Sequence, residues 1–120
     1  MKPPTLAAVY LGLYPVLVEV AREHGYALAA HGTISRDLDL VAIPWIDAAC
    51  QPNELVGALV DRIKFTTHPF DGARGPVTKP HGRLGWTIGL DNGAFIDLSV
   101  MPMRAGAPIA PVAPKPEDTP

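Results

Sequence analysis

Two aspartates, Asp37 and Asp39, stand one residue apart in the largely apolar segment 36–45. In an extended strand alternate side chains share a face, so this spacing predicts two carboxylates side by side, with Leu38 and Leu40 on the other face. Neighbouring carboxylates repel each other, and a bound cation relieves that repulsion. The pair therefore indicates a site for a divalent cation.

Gly32 and Thr33 come shortly before this pair. A glycine lets backbone amides approach a bound anion closely, and the threonine adds a hydroxyl donor. Together with a cation held by Asp37 and Asp39, these residues predict a site for a metal-bound phosphate.

A third carboxylate, Asp97, falls in the middle of an alternating segment, between Ile96 and Leu98. Alternation places Asp97 on the face opposite to those two apolar side chains. A carboxylate buried alone within a sheet costs several kcal/mol, so we expect Asp97 to have a partner.

Several partners for the acids are compatible with the sequence. Besides a shared metal ion, an ion pair with Arg36 or Arg83 would satisfy the carboxylates. His31 and His81 could also join the acids as ligands of a transition metal, although the local spacing of a zinc motif is absent. Trp45 and Trp86 have two interpretations as well, stacking on a base or burial in the core.

The composition is that of one small soluble domain. The chain has 120 residues, of which 48% are apolar, and no unbroken apolar run reaches the ~20 residues of a membrane span. A net charge of −2 gives no general attraction to nucleic acid or to an anionic membrane. A single cysteine is typical of a reducing compartment, so we expect a cytoplasmic protein.

The apolar spacing predicts two helices and about four strands. The helices are expected at about 11–24, with Pro15 in its first turn, and at about 53–65, with Asn53 as the N-cap. The strands are expected at 26–30, 36–45, 84–90 and 94–100. Asn92 and Gly93 predict a two-residue hairpin turn between the last two strands. The expected fold is α+β, a small mixed sheet packed by two helices.

The segment 66–82 contains three prolines and three glycines, so we expect a long loop there. Cationic side chains dominate the wider stretch 62–83, where Asp71 is the one acid. They are Arg62, Lys64, Arg74, Lys79 and Arg83. Such a basic loop could cover an anionic ligand, and a solvated loop without a ligand is the alternative.

The ends of the chain are expected to lie outside the folded unit. Residues 1–10 are predicted to be a lead-in and residues 11–104 the domain. Residues 105–120 are rich in proline and alanine, which favours a disordered tail.

This order of elements resembles the polymerase-beta-type nucleotidyltransferase superfamily in its minimal form, over about residues 11–101. The resemblance rests on the Gly32-Thr33 turn, the Asp37 and Asp39 pair, and Asp97 on a later strand. The chain is also similar to short uncharacterised nucleotidyltransferase-like proteins encoded by bacteriophages.

The resemblance implies a metal-dependent nucleotidyltransferase. Two Mg²⁺ or Mn²⁺ ions would be held by Asp37, Asp39 and Asp97, and a nucleoside monophosphate would pass from a nucleoside triphosphate to a hydroxyl acceptor of unknown identity. The implied nucleotide-binding residues are Gly32, Thr33, Arg36, Lys79 and Arg83. The alternative is a catalytically inert protein of the same fold and of phage origin that binds a host protein.

Overall fold

The computed structural model describes residues 7–34, 36–64, 70–90 and 93–103. Within these residues the chain forms two α-helices, five strands and one 3-10 turn at Pro80–Gly82, which confirms the predicted α+β class. In chain order the elements are α1 (Ala7–Glu23), β1 (Tyr26–His31), β2 (Leu38–Pro44), α2 (Pro52–Lys64), β3 (Phe70–Thr78), β4 (Leu84–Leu90) and β5 (Phe95–Val100).

The five strands form one mixed sheet in the order β1-β2-β5-β4-β3. The central pair, β2 and β5, is parallel, and the other neighbouring strands are antiparallel. The prediction of about four strands was wrong, because β3 lies within the segment predicted to be a loop.

The strand β3 is an edge strand with an irregular ladder. Its register against β4 shifts between Phe70 and Gly72 and again between Arg74 and Val77. Pro76 falls inside the second irregularity, where its missing amide hydrogen interrupts no regular pairing. Glycines and prolines that usually mark a loop are therefore accommodated in a bulged edge strand. Residues 66–69, the first part of the predicted loop, lie outside the described residues, and so does residue 65, the predicted end of the second helix.

Both helices pack against one face of the sheet. The buried side chains of α1 recur at intervals of three or four residues, as expected for one apolar stripe. They are Tyr10, Leu13, Leu17 and Ala21. The strands bury alternate residues against them, including Leu38 and Leu40 of β2 and Ile96 and Leu98 of β5. Each fully buried side chain of this size contributes about 1.5–3 kcal/mol. The opposite face, which carries the aspartates, is half-exposed.

The helix α1 begins at Ala7, four residues earlier than predicted, so Pro15 lies inside it and not in its first turn. Pro15 has no amide hydrogen for the carbonyl of Leu11, and both residues are exposed, so water can replace that hydrogen bond. The earlier start places Tyr10, which is fully buried, in the helix. Among the described helices, none is long and apolar enough to cross a membrane.

Two turn details also differ from the predictions. The backbone amide of Gln51 donates to Oε1 of Glu54 at 2.9 Å, which makes Gln51 the N-cap of α2, in place of Asn53. The amide of Leu90 donates to the carbonyl of Ala94 at 2.8 Å, and four residues, 91–94, separate β4 from β5 instead of two. Of these four, residues 91 and 92 lie outside the described residues.

Replacement of Gly25 by alanine should destabilise the fold. Gly25 has a φ of +89°, and a Cβ atom there would lie 2.6 Å from the Cα of Ala49. The backbone strain alone costs about 1–3 kcal/mol. Urea denaturation of Gly25→Ala should therefore show a lower free energy of unfolding than the wild type.

The matched control is Gly12→Ala, in the interior of α1. No atom lies within 4 Å of a Cβ built at Gly12, so this change should stabilise the protein by roughly 0.5–1 kcal/mol. Equal effects of the two substitutions would contradict the backbone assignment at Gly25.

Candidate metal centre

The parallel pairing of β2 with β5 sets Asp39 opposite Asp97. Residues paired in register share a face, so both carboxylates project from the half-exposed face of the sheet. Asp37 lies one residue before β2, and one carboxylate oxygen from each of the three aspartates lies within 4.8 Å of the other two. The structure thus brings together the three acids that the sequence singled out.

The three carboxylates influence one another electrostatically. Partial burial raises the pKa of Asp39 above its ordinary value, and the neighbouring charges of Asp37 and Asp97 raise it further. His31, which pairs with Asp39 across β1 and β2, opposes this shift in pKa. The ionised cluster therefore carries a repulsion that a bound cation would relieve.

A row of polar side chains crosses the sheet at the level of the acids. In strand order from β1 to β3 its members are His31, Asp39, Asp97, Thr87 and Arg74. Within the row, Oγ1 of Thr87 donates to Oδ1 of Asp97 at 3.3 Å. This hydrogen bond orients the Asp97 carboxylate and leaves its other oxygen for a ligand.

Gly32, at the end of β1, lies directly beside the acids. Its φ is +79°, and a Cβ atom there would lie 2.8 Å from Oδ2 of Asp39. Glycine is therefore the residue that leaves room for this carboxylate in its present position. Thr33 follows it and is exposed.

The three cationic residues predicted to bind the nucleotide lie in different positions relative to the acids. Arg36 immediately precedes Asp37 and is exposed. Arg83 donates from Nε to the carbonyl of Pro80 at 3.0 Å, and it lies four residues, or about 13 Å of extended strand, from Thr87. Lys79 lines a cleft that Asp97 also lines. Of these cations, the structure places Lys79 in a common cleft with an acid of the cluster.

The alternative partners do not form ion pairs with the acids or join their group of possible metal ligands, although His31 pairs with Asp39 across the strands. Among the described residues, the ion pairs are Arg22 with Glu19 and Lys64 with Asp61, both within a helix, so neither Arg36 nor Arg83 neutralises the cluster. In the described part of the chain, the acidic group contains no histidine. The two tryptophans also separate, since Trp86 is 8% exposed and belongs to the core, whereas Trp45 is 64% exposed.

Tyr10 has a role at the site that the sequence pattern did not predict. Its buried hydroxyl donates to the carbonyl of Arg36 at 2.6 Å and accepts the amide hydrogen of Phe95 at 3.2 Å. Arg36 precedes Asp37, and Phe95 lies two residues before Asp97, so one hydroxyl of α1 fastens both segments that carry the acids. A buried tyrosine needs a hydrogen-bond partner, which is the one signal the sequence offered.

Burial also raises the pKa of the Tyr10 hydroxyl, the Phe95 amide opposes that rise, and the charges of Asp37 and Asp97 add to it. The hydroxyl therefore stays protonated and continues to donate to Arg36 at neutral pH.

The cluster is chemically suited to hard divalent cations. It offers carboxylate oxygens on a half-exposed face, which is the ligand type that Mg²⁺ and Mn²⁺ prefer. Its oxygens come from two strands and the segment preceding one of them, so the fold itself determines their separation.

Removal of one charge from the cluster should stabilise the protein without cations. Because the native state holds the Asp39 proton more readily than the unfolded chain, the free energy of unfolding falls as pH rises from 3.8 through the raised pKa. At pH 7 in EDTA, Asp39→Asn should have a higher melting temperature than the wild type. The Asn variant should also show a flatter pH dependence.

The same measurement with Mg²⁺ or Mn²⁺ should reverse the order. A ligand at 100 times its Kd stabilises a native protein by about 2.7 kcal/mol, and only the wild type has the complete cluster. Asp61→Asn, on the exposed surface of α2, is the control and should respond to the cation like the wild type. An equal response of the wild type and Asp39→Asn would exclude the cluster as the binding site.

Tyr10→Phe should weaken both the fold and cation binding. Loss of the hydroxyl leaves the Arg36 carbonyl and the Phe95 amide without their partner, at a cost of about 1–3 kcal/mol. Because these groups flank the acids, we expect a lower affinity for Mn²⁺ in a calorimetric titration.

Tyr14→Phe is the control on the same helix. It removes a hydroxyl that donates to the Leu28 carbonyl at 2.9 Å on β1, so stability should fall while Mn²⁺ affinity stays near the wild-type value. A parallel loss of Mn²⁺ affinity in both variants would show that the effect is general and not due to the position of Tyr10.

Comparison with known proteins found no family model, no curated protein and no solved structure that matches this chain. The nucleotidyltransferase resemblance of Asp37, Asp39 and Asp97 therefore stays a prediction.

Proposed function

We propose that the protein is a metal-dependent nucleotidyltransferase that moves a nucleoside monophosphate from a nucleoside triphosphate to a hydroxyl acceptor. The observation that carries the proposal is the convergence of Asp37, Asp39 and Asp97 within 4.8 Å on one half-exposed face. The order of elements around them, with Gly32 beside Asp39, adds the resemblance described above.

The donor set fits two divalent ions. The three carboxylates lie close enough together to be ligands of the same ions, which would supply positive charge to a triphosphate. In this proposal Asp37 and Asp39 are the shared ligands and Asp97 completes the second site. When bound, such ions neutralise the triphosphate and make the acceptor hydroxyl easier to deprotonate.

The remaining steps are assigned to residues of the chain. Gly32 and Thr33, on the β1 side of the acids, bind phosphate oxygens of the nucleotide through backbone amides and a hydroxyl. The acceptor oxygen attacks the α-phosphorus, pyrophosphate leaves, and the acceptor proton passes to a carboxylate. Asp97 takes this role because it also lines the neighbouring cleft, where an acceptor can approach.

Isothermal calorimetry with each of the four nucleoside triphosphates and Mg²⁺ tests the proposal. The wild type should bind at least one of them, and Asp37→Asn or Asp39→Asn should weaken that binding tenfold or more, about 1.4 kcal/mol. The control is Asp61→Asn, which lies away from the cluster on α2 and should bind like the wild type.

Absence of heat with every triphosphate, from a folded protein, would refute the enzyme proposal. The inert-fold alternative would then be favoured, and one feature supports it. Trp45, Ile43 and Ile46 are 64%, 43% and 43% exposed, and large apolar side chains exposed close together in sequence are typical of protein contact surfaces.

A further inference from the structure

Glycines leave a shallow trench along the half-exposed face of β4. Gly85 and Gly89 occupy the positions on either side of Thr87 that face the same way. At these two positions β4 contributes no side chain to this face. The trench reaches the acids at Thr87, which pairs with Asp97.

A cleft of about 120 Å³ lies along this face, with Gly85 in its lining. Its lining combines an ammonium group, two hydroxyls, one carboxylate and apolar groups. The lining residues that carry polar side chains are Lys79, Thr87, Ser99 and Asp97. This volume accommodates several water molecules, and it is enough for a phosphate group with a short carbon chain.

Lys79 crosses the sheet above Gly85. A Cβ atom built at Gly85 would contact the Cε of Lys79, and it would lie 3.1 Å from Cδ and 3.4 Å from Nζ. The aliphatic stem and the ammonium group thus lie against the bare backbone of β4 at Gly85, and both residues line the cleft. Among the described residues, no carboxylate forms an ion pair with this ammonium group.

The two sides of the acidic cluster offer different anion-binding groups. Gly32 follows β1 on one side of the acids, whereas Lys79 and the cleft lie over β4 on the other. A nucleotide bound at Gly32 would leave the Lys79 side to the second substrate. The cation at that position indicates that the second substrate carries a negative charge of its own.

We propose that this cleft binds the phosphate group of the acceptor, so that the acceptor is a small phosphorylated alcohol. The inference rests on the proposed nucleotidyl transfer and deepens it, since it reassigns Lys79 from the nucleotide to the acceptor. Gly85 and Asp97 are diagonal neighbours, about 7–8 Å apart across the two strands. A phosphate near Lys79 therefore places a hydroxyl three carbons away beside Asp97.

Glycerol 3-phosphate is a suitable probe because three carbons separate its terminal hydroxyl from its phosphate. In a titration of the full chain saturated with Mg²⁺, the backbone amide resonances of Gly85, Thr87 and Ser99 should shift with a common Kd. Glycerol, which lacks the phosphate, and inorganic phosphate, which lacks the carbon chain, should each bind at least tenfold more weakly.

Two substitutions test different features of the cleft, the charge of Lys79 and the missing side chain at Gly85. Lys79→Met keeps the stem but removes the charge, and Gly85→Ala displaces the stem and fills the floor of the cleft. Each should weaken glycerol 3-phosphate binding tenfold or more. The controls Lys64→Met and Gly57→Ala lie on α2, where no atom is within 4 Å of a Cβ at Gly57, and should bind like the wild type.

The outcomes separate this inference from the proposed function. No shift at these amides, an equal Kd for inorganic phosphate, or an unchanged Kd in Lys79→Met would overturn the acceptor assignment even if wild-type protein binds a triphosphate. If no triphosphate binds while glycerol 3-phosphate binds through Lys79, the proposed function is wrong and the acceptor role is overturned with it.

Discussion

The parallel pairing of β2 with β5 is the constraint on which the rest of the structure depends. It sets Asp39 directly opposite Asp97, although like charges in cross-strand pairs are destabilising. On their other faces, the same two strands bury Leu38 and Ile96 against the helices. Apolar burial on one face of the strands thus holds two like charges together on the other face. The face that carries this repulsion is the one suited to a cation.

The helices determine the site as well as the core. Tyr10 is part of the apolar stripe of α1, yet its hydroxyl joins the backbone before Asp37 to the backbone before Asp97. A shift of α1 along the sheet would break these hydrogen bonds to the segments that carry the acids. Core packing and site geometry are consequently coupled through a single side chain, even though Tyr10 belongs to the opposite face of the sheet from the carboxylates.

The sequence predicts the local pattern of each strand better than it predicts the arrangement of the strands in the sheet. The alternation around Asp39 and Asp97 predicts which face each carboxylate occupies, because it depends on neighbouring residues alone. The order of the strands in the sheet depends on contacts between distant segments. The sequence therefore does not predict that these two acids are neighbours, which only the structure shows. Pro76 shows a limit of local patterns themselves. Proline usually indicates a loop, but here it is tolerated in the bulge of an edge strand, and β3 was not predicted for that reason.

Two glycines, Gly32 and Gly85, determine which side chains can pack on the face of the sheet around the acids. Gly32 makes room for the Asp39 carboxylate, and Gly85 makes room for the stem of Lys79. Both effects depend on the close approach of a side chain from another segment of the chain, which local sequence patterns do not reveal. The acids occupy the centre of the sheet, and on either side of them a position without a Cβ atom lets a side chain approach the backbone closely. The proposed sites for two anionic ligands near one cluster of carboxylates depend on these two glycines.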